Sequence, residues 1–229
     1  MMPQLPSTKT EFKEKLANGE ILLGLIVGSP DPAITEIVGV SGFDFVILDS
    51  EHSPMGPESA LNHVRAAEAS GILPLVRVGE VGQSTVQKFL DIGCQGVVFP
   101  RVESAEQAAQ AVSLLQFAPR GRRGMCPSCH GAWYGAHDWE AYSEASDEEV
   151  LCIVLIETNQ GVENVGDIAA IDGVDVIFFG PGDLSQEYGD GPGWHSARTR
   201  DAWRVVRAAT EGLGTLLMTA PHPEVDSEA

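Results

Sequence analysis

Seven short apolar runs recur along the chain, and their spacing constrains the fold more than any other feature of the sequence. Each run is rich in Val, Ile, Leu and Phe, which is typical of strands buried on both faces of a parallel sheet. The runs are residues 21–28, 43–50, 73–78, 96–102, 152–157, 174–180 and 215–220. Segments of helical character separate them, so we predict a single α/β domain over residues 1–229.

The helix candidates carry recognisable end signals. Residues 57–71 end at Gly71, which suits the position after a helix, and two further segments open on a serine that can cap. In the second of these, Ser104 and Gln107 have the spacing of a capping box. The other candidates are residues 84–93, 104–116, 159–173 and 200–212. Residues 119–146 are the longest irregular connection, and such loops are often functional.

Polar side chains follow the apolar runs at their carboxyl ends. They are Asp49, Glu51, His52, Arg77, Pro100, Arg101, Glu157 and Asp183. In a (β/α)8 barrel these strand ends meet at one mouth, where active sites lie. We therefore predict an α/β barrel of TIM type. Because only seven runs occur, we expect the final strand and helix to be lacking from this chain; an open barrel and a partner subunit that fills the gap are the alternatives.

The charge balance excludes two classes of partner. The net charge is −19, from 33 acidic and 14 basic residues, so binding to nucleic acid or to anionic membranes is not expected. The acidity fits either an ordinary acidic enzyme or adaptation to high salt, where charge repulsion is screened. No apolar run is long enough to span a bilayer. Residues 1–20 lack the apolar core of a secretory signal, so we expect a cytoplasmic protein.

The four cysteines fall into two classes. Cys94 and Cys152 lie in apolar runs, which predicts inert core thiols. Cys126 and Cys129 belong to the sequence CPSCH, which matches the C-x-x-C-H pattern of c-type haem attachment. A metal or redox pair and an incidental loop are the other interpretations, and the absence of an export signal disfavours haem.

Glu157 and Asp183 are the candidate metal ligands. They lie one βα unit apart, so they are expected at the ends of adjacent strands, where they can share one ion. Two carboxylates with open positions suit Mg²⁺ or Mn²⁺, with Co²⁺ and Zn²⁺ as further options. The alternative for each carboxylate is a helix cap or a salt bridge.

The run that ends in FVILDSEH carries a candidate acid–base pair. A carboxylate at Asp49 can orient the imidazole of His52 and raise its basicity, so that the ring moves a proton near neutral pH. Glu51 is expected on the other face of the strand, as a cap or salt-bridge partner. Arg77 suits a carboxylate or enolate oxygen; its alternative is a buried ion pair with Asp49, and that of His52 is a structural histidine.

Gly180, Pro181 and Gly182 precede a predicted helix, where backbone amides can approach a substrate carboxylate. Combined with a divalent ion and Arg77, these groups suit the enolate of a 2-oxo acid. We therefore predict a carbon–carbon lyase that performs aldol cleavage or condensation. No lysine stands at a strand end, which disfavours a Schiff-base aldolase.

The sequence resembles the HpcH/HpaI aldolase family, the class II metal-dependent pyruvate aldolases. The resemblance covers about residues 42–189 and depends on the motifs FDFVILDSEHSP, PLVRV, FLDIGCQGVVFPRVESAEQA, APRGRRG, LIET and GVDVIFFGPGDLS. It implies a TIM-type barrel that cleaves a 4-hydroxy-2-oxo acid into pyruvate and an aldehyde. It also implies homo-oligomers, usually hexamers, whose subunits exchange their last helix.

The resemblance assigns roles to individual residues. It implies metal binding by Glu157 and Asp183, a base dyad of His52 with Asp49, and pyruvyl binding by Arg77. It further implies that Asp91 reaches the site of a neighbouring subunit.

Three features depart from the family pattern. Leu155 stands where many relatives have a glutamine beside the substrate, and the segment MCPSCHGAWYG replaces a smaller loop. The C-terminal strand and exchanged helix have no counterpart. Two other functions therefore stay open: a citrate-synthase-like or acyl-CoA-ester lyase of the same superfamily, for which Arg120, Arg122 and Arg123 form the dense basic cluster, and a catalytically weak subunit.

Overall fold

The structure is a computed structural model that describes residues 9–222, within which seven strands alternate with ten α-helices. The strands are β1 (Gly24–Val27), β2 (Phe45–Asp49), β3 (Leu73–Arg77), β4 (Gly96–Phe99), β5 (Leu151–Ile156), β6 (Val176–Phe179) and β7 (Leu216–Thr219). The helices are α1 (Lys9–Ala17), α2 (Ala33–Val40), α3 (Pro57–Ser70), α4 (Gln83–Asp91), α5 (Ala105–Leu115), α6 (Trp139–Glu149), α7 (Asn159–Glu163), α8 (Val165–Ala169), α9 (Pro181–Tyr188) and α10 (Ala197–Thr210). Two short 3₁₀ turns are Trp133–Gly135 and Gly193–His195.

The chain divides into two compact units. The first unit comprises the residues up to Val98 together with Ser113–Leu151, and the second comprises Phe99–Val112 together with the residues from Cys152 onward. In the first unit, β1, β2, β3 and β4 pair in chain order, and in the second, β5 pairs with β6 and β6 with β7. All of these pairings are parallel, which confirms the predicted α/β class. The TIM-type barrel and the single domain stay predictions.

The register in the first unit aligns the ends of β2 and β3. Asp49 and Arg77 are paired positions, and both strands are buried along nearly their whole length. Side chains at paired positions of neighbouring strands point to the same face of a sheet. The register alone therefore brings an acid and a guanidinium side by side.

The register in the second unit aligns the ends of β5 and β6. Ile156 is paired with Phe179, and every residue of both strands is buried. Glu157 and Gly180 follow these two residues directly. The prediction that Glu157 and Asp183 follow adjacent strands is therefore confirmed.

Some of the predicted helix ends are confirmed. Gly71 has a left-handed φ of 70° just after α3, as a glycine at that position permits. The hydroxyl of Ser104 accepts from the amide of Gln107 at 3.3 Å, and the Gln107 side chain accepts from the amide of Glu103 at 2.7 Å. The first bond confirms Ser104 as the cap of α5. The second bond comes from the residue before the cap, so the predicted capping box is present only in part.

Other helix predictions are wrong. Ser84 does not cap α4, because the amide of Val86 already donates to the carbonyl of Gly82 and the helix begins before the serine. Residues 159–173 split into α7 and α8 at Asn164, whose backbone leaves the helical region. Residues 119–146 are less irregular than expected, since α6 begins inside them with Asp138 as its cap. None of the helices among residues 9–222 is long and apolar enough to cross a membrane.

Candidate active site

Four side chains at the ends of β2 and β3 form one group in the first unit, which we call the acid–arginine cluster: Asp49, Glu51, His52 and Arg77. The Nε and Nη2 atoms of Arg77 donate to the two oxygens of Asp49 at 3.0 and 2.8 Å. The Oε2 atom of Glu51 lies 3.4 Å from Arg77 Nε and 3.6 Å from His52 Nε2. This two-bonded arrangement holds the guanidinium plane in one orientation.

Asp49 is ionised in this cluster in spite of its burial. Its exposed fraction is 6%, and desolvation of that degree alone would raise the pKa of the carboxyl. The hydrogen bonds from Arg77 and from the amides of His52 and Glu51 outweigh this effect, so the pKa lies below its ordinary value. The carboxylate therefore keeps its charge at neutral pH.

Two of the ion pairs that the sequence allowed as alternatives are present in the cluster. Arg77 does form the ion pair with Asp49, and Glu51 does form a salt bridge, with both Arg77 and His52. The contact between Asp49 and His52 runs through the backbone amide of His52 at 3.2 Å, and the ring itself lies against Glu51. The His52 side chain is 64% exposed, so solvent or a ligand can reach the imidazole. The catalytic roles of these residues stay predictions.

Glu157 is the buried carboxylate of the second unit, with an exposed fraction of 5%. Its Oε1 atom accepts from the amide of Arg101 at 3.0 Å. Arg101 has a φ of 51°, a left-handed conformation that is uncommon for a residue other than glycine. The sequence places Arg101 at a strand end but does not indicate this contact. The backbone angle that turns its amide toward Glu157 leaves no signal in the sequence.

Gly180 lies against the other oxygen of Glu157. A methyl group added at Gly180 would lie 2.9 Å from Glu157 Cβ and 3.2 Å from its Oε2. Both distances are too short for ordinary packing, so any larger residue here would displace the carboxylate. Glu157 can therefore occupy this position because Gly180 has no side chain.

Gly180 is also the residue from which α9 begins, with Pro181 in the first helical position. The amide of Gly180 donates to the carbonyl of Ile156 at 2.9 Å, so it belongs to the sheet. The amides of Gly182 and Asp183 lie in the first turn of α9, so the helix contains no carbonyl one turn earlier to accept from them. Asp183 does not cap α9; it lies in the first turn with its side chain exposed.

Glu157 lies against Gly180, and Asp183 lies in the helix that begins after Gly180. We call these two carboxylates the acidic pair. Residues 9–222 contain no group of three or more His, Cys, Asp or Glu side chains arranged to hold a metal. A pair of oxygen ligands fits Mg²⁺ or Mn²⁺, which keep several waters and take few ligands from a protein. The acidic pair fits such an ion in ligand number and in chemistry.

The whole-chain comparison decides the family. The family model described as HpcH/HpaI aldolase/citrate lyase matches residues 22–221. The chain belongs to this family. The resemblance noted in the motifs is confirmed, and it extends well beyond the segment that those motifs cover.

Named members of the HpcH/HpaI family are similar along most of this chain. The hydroxypyruvate/pyruvate aldolase of Deinococcus radiodurans is 36% identical, over 82% of this chain and 69% of the relative. The 5-keto-4-deoxy-D-glucarate aldolase of Shigella boydii is also 36% identical, over 82% of this chain and 72% of the relative. The crystal structure of the citrate synthase SbnG has a TM-score of 0.83 and 30% identity, over 98% of this chain and 85% of that one. The relatives therefore support a lyase of the aldolase type.

Leu155 lies in β5, two residues before Glu157. Its side chain is 2% exposed, and its carbonyl accepts from the amide of Val102 at 3.2 Å. One of its methyl carbons would lie 3.1 Å from a methyl group added at Gly180. An apolar group therefore packs against Gly180 on the same side as Glu157, and the role of Leu155 at the substrate stays a prediction.

Asp91 is the last residue of α4, in the first unit. Burial raises the pKa of its carboxyl, against the opposing effects of Arg123, Gln87 and the Cys129 thiol. Asp91 also lines a surface cleft of about 420 Å³ together with Gln83, Ser84, Gln87 and Lys88. Its role toward a neighbouring subunit stays a prediction.

Proposed function

We propose that this protein is a metal-dependent aldolase that cleaves a 4-hydroxy-2-oxo acid into pyruvate and an aldehyde. The proposal depends on the buried carboxylate of Glu157. It accepts from the amide of Arg101 and packs against Gly180, the residue directly before the helix that carries Asp183. These two contacts fix the position of a carboxylate whose exposed fraction is 5%. The aldolase relatives at 36% identity support the same reaction class.

In this proposal Glu157 and Asp183 hold the divalent ion, Mg²⁺ or Mn²⁺. When bound, the ion supplies the positive charge that stabilises the enolate of the 2-oxo acid. The amide of Arg101 keeps Glu157 oriented by occupying its Oε1 atom. Gly182 and Asp183 would offer backbone amides to the substrate carboxylate at the start of α9, with Pro181 and Gly180 shaping that turn.

Arg77 would donate to the carboxylate or enolate oxygen of the pyruvyl group. Two hydrogen bonds to Asp49 fix the plane of its guanidinium before the substrate arrives. Such preorganised donors lose little on binding and stabilise charge as it develops. The Asp49–Arg77 ion pair is then part of the site.

His52 would move the proton. In cleavage it takes the proton of the 4-hydroxyl group, the C3–C4 bond breaks, and the enolate left behind is protonated at C3 to give pyruvate. Glu51, 3.6 Å from His52 Nε2, would stabilise the protonated ring. Asp49 acts through its contact with the backbone of His52, and Leu155 would limit polar contacts on the aldehyde side.

The assembly that we propose is a homo-oligomer, with Asp91 near the site of a neighbouring subunit, as the family resemblance implies. A hexamer is the expected form.

Pyruvate release from 4-hydroxy-2-oxoheptanedioate tests the proposal. We expect activity to disappear after thorough chelation with EDTA and to return with Mg²⁺ or Mn²⁺. Glu157→Gln preserves the acceptor for the Arg101 amide but removes the charge, so it should lower turnover by about 10³-fold or more and weaken Mn²⁺ binding. Asp172→Asn, at an exposed position of the same unit, is the matched control. Activity that persists without metal would contradict the metal assignment.

Citrate formation is a second candidate, favoured by the similarity to the citrate synthase SbnG. Two arginines of the basic cluster that would suit an acyl-CoA substrate bind side chains of the first unit itself. Arg120 forms an ion pair with Glu148. Arg123 is buried against Phe117 and donates to the hydroxyls of Ser146 and Tyr142. These contacts order the loop and argue against a nucleotide patch there. Assaying the same preparations for citrate distinguishes the two reactions, and a protein inactive in both assays would support the weak-subunit alternative.

A further inference from the structure

Cys126 and Cys129 form a pair of thiols on one turn of the first unit. The amide of Cys129 donates to the carbonyl of Cys126 at 3.4 Å, which closes a four-residue turn with Pro127 and Ser128 at its centre. Both thiols are free and partly exposed, and the Cys126 thiol lies 3.9 Å from the Ser128 hydroxyl. The ends of such a turn lie within about 7 Å of each other, a separation that overlaps the Cα distances of disulfides.

The other two cysteines differ from this pair in their exposure to solvent. Cys94 and Cys152 are buried, with exposed fractions of 3% and 1%. Burial raises the pKa of the Cys94 thiol far above its ordinary value, so it forms almost no thiolate near neutral pH. The chain thus contains one accessible pair and two shielded thiols that serve as internal controls.

The turn is attached to the end of α4 by specific contacts. The amide of Gly131 donates to the carbonyl of Asp91, the last residue of α4, at 2.8 Å. His130 lies 3.1 Å from the carbonyl of Ile92 through Nδ1. Because the backbone that follows the pair is anchored, the turn that carries the two thiols is held in place in the folded chain.

A metal site explains these thiols less well. No third His, Cys, Asp or Glu side chain in the described part of the chain completes a metal-binding group with them. Structural zinc sites use four protein ligands. Two adjacent thiols without further ligands suit thiol–disulfide exchange.

We propose that Cys126 and Cys129 are a redox site that a low-molecular-weight disulfide oxidises to an intramolecular disulfide. One thiolate attacks a sulfur of the small disulfide, which forms a mixed disulfide and releases one small thiol. The second cysteine attacks the protein sulfur of that mixed disulfide and releases the second small thiol. Two electrons pass to the small disulfide, and the two thiol protons end on the released thiols.

Glutathione disulfide is the probe for this site, with intact mass as the readout. The folded protein is equilibrated at graded ratios of reduced to oxidised glutathione, quenched in acid and alkylated. We expect a product that has lost two hydrogen atoms and carries no glutathione. Cleavage after glutamate releases residues 107–140, which contain both cysteines of the pair and neither of the other two. The disulfide should be found within this one peptide.

Single substitutions identify the mechanism. Cys126→Ser and Cys129→Ser each leave one thiol, which should retain a glutathione adduct instead of losing it. Cys94→Ala should still form the intramolecular bond. A wild-type protein that stays fully reduced, keeps a glutathione adduct or forms a disulfide between two chains would overturn the proposal. The mass readout needs no activity, so it is independent of the proposed aldolase function, and the wild-type peptide decides the question even if a variant fails to fold.

Discussion

The acid–arginine cluster and the acidic pair both lie where parallel strands end, but they are held in different ways. In the first, Asp49 receives two hydrogen bonds from Arg77, and Glu51 lies close to the same guanidinium. In the second, Glu157 receives a backbone amide, and no hydrogen bond or ion pair within residues 9–222 involves the Asp183 side chain. One group contains its own counter-charge, and the other places two carboxylates at neighbouring strand ends.

This difference indicates how each group should respond to its surroundings. A carboxylate that is paired with a guanidinium keeps its geometry without any added ion. Glu157 and Asp183 are the proposed ligands of one divalent ion, and such an ion would hold the two carboxylates together. We therefore expect the cluster to depend on its internal ion pair for both stability and turnover, and the acidic pair to depend on metal.

Arg77→Ala tests the cluster, through both turnover and stability. It should reduce turnover by about 10²- to 10³-fold, because a preorganised donor to the enolate is lost. It should also lower the free energy of unfolding by about 3 kcal/mol, since Asp49 stays buried without its main partner. Pyruvate release and urea unfolding measure the two effects.

The double variant Asp49→Asn/Arg77→Ala separates the two roles of the arginine. Removing both charges should restore much of the stability, because no uncompensated carboxylate is left at Asp49. Turnover should stay low, since the donor to the substrate is still missing. If the double variant regains turnover together with stability, Arg77 is a structural partner of Asp49 and nothing more.

Much of this comparison could be predicted from the sequence, because strand ends are readable and parallel strands bring their ends to one edge. The β2–β3 register follows from two buried apolar runs, and it already places Asp49 beside Arg77. The spacing of Glu157 and Asp183 likewise predicted adjacent strands, which the pairing of β5 with β6 confirms.

What could not be predicted depends on backbone angles and on choices between nearby partners. The φ of 51° at Arg101 directs its amide to Glu157, and no sequence pattern indicates a left-handed arginine. The pairing of His52 with Glu51 was also unexpected, because strict strand alternation no longer holds once β2 ends at Asp49. The contact between Gly180 and Glu157 could not be predicted either, since the glycines of GPGD are equally compatible with an ordinary turn.

Gly180→Ala sharpens the metal side of the comparison. The added methyl group would meet Glu157 at 2.9 to 3.2 Å, so the carboxylate must shift. Displacement of a ligand of this kind should weaken Mn²⁺ binding by about 10- to 100-fold. Titration calorimetry with Mn²⁺ measures the change. Gly166→Ala is the matched control, because an added methyl group there meets nothing within 4 Å; equal affinities in the two variants would count against Glu157 as a ligand.

The acid stability of the first unit gives the smallest effect, through the pKa of Asp49. Because the folded-state pKa lies below the ordinary value of 3.8, the carboxylate stabilises the fold above that value, and this stabilisation is lost as the pH falls through the folded-state pKa. At neutral pH, Asp49→Asn should therefore lower the free energy of unfolding by about 1–3 kcal/mol. The gap to wild type should narrow as the pH falls below about 4. Urea unfolding across this range, with Asp172→Asn as the exposed control, measures the gap. A gap of constant size at every pH would mean that the charge of Asp49 adds nothing to the stability of the cluster, and that Arg77 is held in place by packing instead.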